Sequence, residues 1–123
     1  MKISTCNVKL NGVRSITNKI LKEYDLPDIK SINEGDCYRW AWGFYKKYGG
    51  TLCTVSFYNY GFGHAFIKIN NKYYDAESPN GVKDWRNLKL WPNAPISERQ
   101  YNNLKNKRVM TMTVAEYRKF WDF

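Results

Sequence analysis

The pattern of apolar and polar positions divides the chain into a helical first third and a strand-rich middle. Val13, Ile16, Ile20 and Leu21 recur at helical spacing across residues 12–24, and Leu26-Pro27-Asp28 supplies the stop. The polar stretch 28–34 reads as a loop. Asp36 is placed to N-cap a second helix reaching about Tyr48, with Gly49-Gly50 as its end. Trp40, Phe44 and Tyr48 form a stripe along that helix, and Cys37 lies on the same stripe. Residues 51–58 are β-branched and aromatic, with Leu52 and Thr54 alternating against Cys53, Val55 and Phe57, and predict a strand. His64–Ile69 and Lys72–Glu77 predict two more strands joined by an Asn70-Asn71 hairpin turn. Ser78-Pro79-Asn80-Gly81 carries the residues that break a sheet.

Further on, Trp85, Leu88, Leu90 and Trp91 lie between Pro79 and Pro92, which predicts an ordered, irregular segment packed on the body. Residues 96–105 predict a short helix N-capped by Ser97. Lys107–Thr113 predicts a strand, and Thr113 with Glu116 forms a capping-box pattern that opens a last helix. Helices, then mostly antiparallel strands, then a helix is an α+β order. The 123 residues form one domain, 1–123.

Composition narrows the class. Hydrophobic residues make up 43% and aromatics 17% of the chain, enough for a packed core. No stretch approaches the ~20 apolar residues that span a bilayer, and the N-terminus lacks the apolar core of a signal peptide. The expectation is a cytoplasmic protein, in the host cytoplasm if phage-encoded. Cys6, Cys37 and Cys53 cannot all pair within the chain, and a reduced compartment fits them. With no CxxC and one histidine, no zinc site of usual spacing can be written, and no metal or other cofactor is expected. The net charge of +9 points to an acidic partner or to a solvated basic surface.

Candidate chemistry centres on Gly35-Asp36-Cys37-Tyr38-Arg39-Trp40-Ala41-Trp42, His64 and Asp75. A cysteine in the first turn of a helix meets free backbone N–H groups and the positive end of the dipole, which stabilise a thiolate and a developing oxyanion. His64 is the only histidine, so any imidazole base must be this residue. If Asn70-Asn71 are the two loop residues, Ile69 pairs with Lys72 and Asp75 falls opposite Phe66. His64 then lies diagonal to Asp75 on one face, within reach of a hydrogen bond. A slip of one residue would separate them to opposite faces. Each residue also has a plain structural reading: Cys37 as a small buried hydrophobe, His64 as a satisfied loop residue, Asp75 as a turn cap.

This order, a helix-start Cys, a His opening a strand and an Asp on the following strand, resembles the papain-like cysteine peptidase superfamily. It is similar above all to the compact bacterial and phage branch with NlpC/P60-type peptidases and transglutaminase-like proteins. The resemblance covers roughly residues 33–82 and rests on Gly63-His64-Ala65-Phe66-Ile67-Lys68-Ile69 and Lys72-Tyr73-Tyr74-Asp75-Ala76-Glu77. It implies a papain-like core with the Cys-bearing helix packed on a small antiparallel sheet. It also implies Cys37 as nucleophile, His64 as general base, Asp75 as orienting residue, and acyl transfer on a peptide or protein amide: hydrolysis, deamidation or transamidation. Papain has a Gln before its Cys that lines the oxyanion hole. No Gln precedes Cys37, and Asn33 is the nearest upstream amide.

Trp40 and Trp42 are candidate walls of such a site, and Tyr60 and Phe62 a candidate substrate-facing loop. Glu77 and Asp84 are candidates for a substrate amine, and Cys6 and Cys53 read as structural. Two alternatives stand beside the hydrolase. One is a non-catalytic basic binding protein on the same scaffold, such as a phage-encoded inhibitor of an acidic host protein. The other is direct nucleic-acid binding through basic charge and aromatic rings, for which no RNP-like, helix-turn-helix or zinc-finger pattern is present.

Overall fold

The computed structural model describes residues 8–57, 62–93, 97–104 and 106–123. Helix α1 (Leu10–Glu23) turns Val13, Ile16, Thr17 and Ile20 inward. Asp25 then takes a left-handed backbone, φ 52°, and the Leu26 N–H closes back on the Leu21 carbonyl.

The polar stretch expected to be a loop is instead helical. The Asp28 side chain caps a single turn, α2 (Ile29–Ser31), by accepting from the Ser31 N–H at 2.9 Å. A π-helical turn (Ile32–Asp36) follows and leads directly into α3 (Cys37–Tyr48). The reason is tertiary: Ile32 and Asn33 are buried, so two inward side chains fix a backbone that local composition leaves open.

The sheet is five-stranded and antiparallel throughout, in the order β4-β3-β2-β1-β5. Its strands are β1 (Thr51–Phe57), β2 (Phe62–Ile69), β3 (Lys72–Asp75), β4 (Ser78–Val82) and β5 (Met110–Met112). The architecture is therefore α+β, as the element order predicts. Asn70 and Asn71 both have positive φ, 53° and 62°, and Ile69 pairs with Lys72. That is the two-residue hairpin whose twist matches the strands it joins.

Two boundaries differ from the sequence pattern. The third strand stops at Asp75, and the stretch expected to break the sheet forms β4, with Asp75 opposite Ser78. Pro79 and Gly81 are tolerated because β4 is an edge strand with one side unpaired. The strand expected over Lys107–Thr113 is only Met110–Met112, at the opposite edge.

Alternation along the strands gives the sheet two apolar faces. Leu52, Ala65, Ile67 and Tyr74 join α1 and α3 in one core with Trp40, Ala41 and Phe44. Cys53, Val55 and Phe66 face a second core. That core is closed by Trp85, on the 3-10 turn Trp85–Asn87, together with Leu88 and two residues of α4 (Leu90–Asn93), Leu90 and Trp91. The irregular segment predicted from its large apolar residues is this second layer. Helix α5 (Glu98–Leu104) follows, and α6 (Val114–Trp121) opens on the predicted capping box of Thr113 and Glu116. Among the described residues no helix is long and apolar enough to cross a membrane.

Gly50, entering β1, shows how closely this sheet is built. Its φ is +96°, and a Cβ there would lie 2.8 Å from the Lys68 carbonyl oxygen and 3.1 Å from the Ile69 Cβ. Gly50→Ala combines strain with a backbone clash, and a loss of about 1–3 kcal/mol in urea denaturation is expected. Gly35→Ala, where a Cβ meets nothing within 4 Å, is expected to change stability by less than about 1 kcal/mol. Equal effects of the two would refute the account.

Candidate active site

The register of the hairpin places the site. With Ile67 opposite Tyr74 and Ile69 opposite Lys72, Asp75 falls across from Phe66, one residue pair beyond the last ladder pair. His64 is two residues before Phe66 and therefore on the same face. The side chains meet there: His64 Nε2 lies 3.0 Å from Asp75 Oδ2. Both are buried, His64 at 0% and Asp75 at 1% exposure. Phe66 stacks on the His64 ring at 5.7 Å between centroids, and Trp91 meets it edge-on at 5.4 Å. These contacts leave the imidazole one orientation.

The thiol of Cys37 is the third member. Burial by itself would push the His64 imidazole down. Its hydrogen bond to Asp75, and the hydrogen-bonding and charge influence of Cys37, outweigh burial and raise it to about 9. Cys37 thus lies within interaction range of the ring. It does not complete a well-aligned hydrogen bond, and Nδ1 has no hydrogen-bond partner among the described residues. Since Nε2 is committed to Asp75, Nδ1 is the nitrogen left for the thiol.

The local reason for Cys37's position differs from the expected one. Asp36 does not cap α3, because its side chain makes no capping bond and is ion-paired with Arg39 instead. The helical path also continues upstream through the π turn. In such a turn each amide donates five residues back, so the amides leading into α3 have carbonyl partners rather than being open. An oxyanion donor from a free helix start is therefore not what this backbone offers.

Asn33, the upstream amide, is 2% exposed and occupied on one side. Its Nδ2 donates to Glu77 Oε1 at 2.9 Å, while Oδ1 is buried with no hydrogen-bond partner among the described residues. Glu77 also donates its backbone N–H to Asp75 Oδ1 at 3.0 Å. Asp75 is thereby held from both oxygens, and the turn preceding Cys37 is tied to the β3–β4 turn. Glu77 is thus a tie between elements rather than a binder of a substrate amine. Its proximity in sequence to Asp75 was the only hint of that role.

The other candidates disperse. Trp40 is fully buried between α1 and α3, donating from Nε1 to Thr17 Oγ1 at 2.9 Å, and presents nothing to a substrate. Trp42 is half-buried against Tyr45 and Tyr117 on the outward side of α3. Asp84 caps the turn at Trp85 and pairs with Arg86. Cys53 is fully buried. Tyr60 and Cys6 lie outside the described residues, as does the Phe62 side chain, whose backbone pairs with Phe57.

One neighbour was not legible in the sequence. Tyr117 of α6 is buried and donates from its hydroxyl to the Tyr38 carbonyl at 2.7 Å. Burial foremost, then the nearness of Cys37 and Tyr38, push its phenol up, so it stays protonated beside the thiol. Nothing local distinguishes Tyr117 from the chain's other tyrosines, because its role comes from a contact 79 residues away.

Among the described residues no group of three or more His, Cys, Asp or Glu side chains is arranged to hold a metal ion. No family model, curated protein or solved structure matches the chain.

The His64–Asp75 pair has a pH signature. The folded imidazole lies at about 9 against its ordinary 6.5, so the folded state holds this proton more tightly than the unfolded chain does. The stability it contributes is complete below about 6.5 and is lost as pH rises through about 9. Asp75→Asn removes the charged partner. In urea denaturation the gap between wild type and variant is expected to narrow between those two values. A gap independent of pH would refute this reading of the pair.

Proposed function

We propose that this chain is a small cysteine amidase or peptidase of papain-like design, acting by acyl transfer on a peptide or protein amide. The observation that carries the reading is the buried imidazole of His64, fixed by Asp75 at Nε2 and within interaction range of the Cys37 thiol. The α+β architecture, with a Cys-bearing helix against an antiparallel sheet, supports it as the scaffold that the resemblance implies.

The chemistry follows from the protonation state. At neutral pH His64 is an imidazolium stabilised by Asp75. An imidazolium beside a thiol is the partner that a thiolate nucleophile needs. The Cys37 sulfur forms a bond to the substrate's carbonyl carbon, and the carbonyl π electrons move onto oxygen. When this intermediate collapses, the C–N bond breaks and His64 gives its proton to the departing amine. The acyl group is left as a thioester on Cys37. Water, or a second amine, then attacks the thioester carbonyl while His64 takes its proton, and the thiolate leaves. Asp75 keeps the ring in one orientation and stabilises its charged form in both halves of the cycle.

The test is the alkylation rate of individual cysteines, read by mass spectrometry after limited iodoacetamide treatment near pH 7. Cys37 is expected to react ahead of Cys53, whose thiol burial pushes up to about 11 despite the opposing influence of Lys68. His64→Ala is expected to slow Cys37 labelling by about 100-fold or more, the lower end of what a positioned acid–base partner contributes. Equal Cys37 rates in wild type and variant would make the constellation structural and end the proposal.

A further inference from the structure

On the far side of α3 from the site, a groove of about 760 Å³ runs between α1 and α3. Its floor is apolar, from Ile16 and Ile20 of α1 and the backbone of Gly43. A Cβ on Gly43 would meet Ile16 Cγ2 at 3.3 Å, so the missing side chain keeps the two helices close enough to share one floor. Its rim is basic. Lys19, Arg39, Lys46 and Lys47 line it against a single acidic residue, Glu23. Arg39 is already engaged by Asp36, whereas Lys19, Lys46 and Lys47 stand on exposed positions. Two of the chain's exposed large hydrophobics, Tyr24 at 37% and Phe123 at 38%, also line this groove.

The rings decide between the polyanions that such a rim attracts. Single-stranded nucleic acid binds a basic groove by stacking bases on open aromatic faces. Here each ring already has a partner. The Arg39 guanidinium lies 4.1 Å from the Tyr24 ring centroid. Trp42 is stacked by both Tyr45 and Tyr117, and Phe123 is packed by Tyr38, Trp42 and Tyr117. Two partly exposed rings, Tyr24 and Phe123, border an aliphatic floor between two helices, with lysines on both rims. That suits the apolar stripe of a third helix flanked by carboxylates.

We propose that the α1–α3 groove is a docking site for an acidic, amphipathic polypeptide helix. Its apolar stripe sits on Ile16, Ile20, Tyr24 and Phe123, and its carboxylates meet Lys19, Lys46 and Lys47. The site is independent of the Cys37 chemistry and would serve equally to recruit a protein substrate or to hold a partner.

The probe is a fluorescein-labelled 18-residue peptide with Leu at i, i+3, i+4 and i+7 and Glu elsewhere, followed by anisotropy at about 50 and 300 mM salt. Two controls are a scrambled peptide of the same composition and an oligothymidylate of equal charge. The variant is Lys19→Glu/Lys46→Glu/Lys47→Glu, three exposed positions whose change leaves the core intact; circular dichroism checks its fold. Expected are binding of the patterned peptide over the scrambled one, weakening with salt, and a loss of more than about tenfold in the triple variant. No binding, equal binding by the variant, or equal binding of the scrambled peptide would overturn the proposal. Tighter binding of the oligothymidylate, lost in the triple variant, would overturn it in favour of a nucleic-acid groove. The variant's Cys37 alkylation rate is expected to match wild type, which separates failure of this surface from failure of the proposed chemistry.

Discussion

The two-residue turn at Asn70–Asn71 is the constraint from which the site follows. Both asparagines sit at positive φ, which asparagine tolerates better than most residues, and the tight loop fixes Ile69 opposite Lys72. Side chains alternate strictly along strands, so this one pairing sets which residues share a face all the way back to His64. A loop one residue longer or shorter would move Asp75 to the other face and leave a buried imidazole without its carboxylate. The pair at 3.0 Å is thus a consequence of backbone register before it is a matter of side-chain affinity.

Burial makes that pair strong and demanding at once. A charged imidazole at 0% exposure is unfavourable unless its proton has a fixed acceptor, and Asp75 supplies one. Asp75 in turn is held at its second oxygen by the Glu77 backbone, and the Glu77 side chain reaches across to Asn33 in the π turn. The result is a chain of bonds from the turn before Cys37, through the β3–β4 turn, to the ring beside Cys37. Removing a member leaves a neighbour buried with an unmet polar group, so its parts depend on one another.

The two faces of α3 divide the molecule's chemistry. Cys37, Trp40, Ala41 and Phe44 point inward, and the helix start is locked to the sheet through this stripe. Arg39, Trp42, Gly43 and Lys46 lie along the other side and share the groove with α1. A helix with two such stripes separates a buried polar site from a basic exterior within one element. Part of the chain's excess of positive charge therefore lines this groove.

Some of this was determined by the sequence alone. The period of Val13, Ile16 and Ile20, the alternation from Leu52 to Val55, the Asn-Asn turn and the Thr113–Glu116 capping box are local signals, and each reflects a short-range interaction that survives in the fold. The sharing of one face by His64 and Asp75 was legible for the same reason, since a tight turn and strict alternation need no knowledge of the rest of the chain. Tertiary structure decided what depends on burial and on distant partners. Residues 28–36 are polar, yet the inward placement of Ile32 and Asn33 makes them helical and removes the expected cap at Asp36. Ser78–Val82 carries sheet-breaking residues, yet its place at an edge lets it pair. Glu77 and Tyr117 gain their roles from Asn33 and from Tyr38 and Cys37, which come near only when separate elements pack. Short-range geometry is written into neighbouring residues, whereas the environment that gives a side chain its charge state and partners exists only in the folded chain.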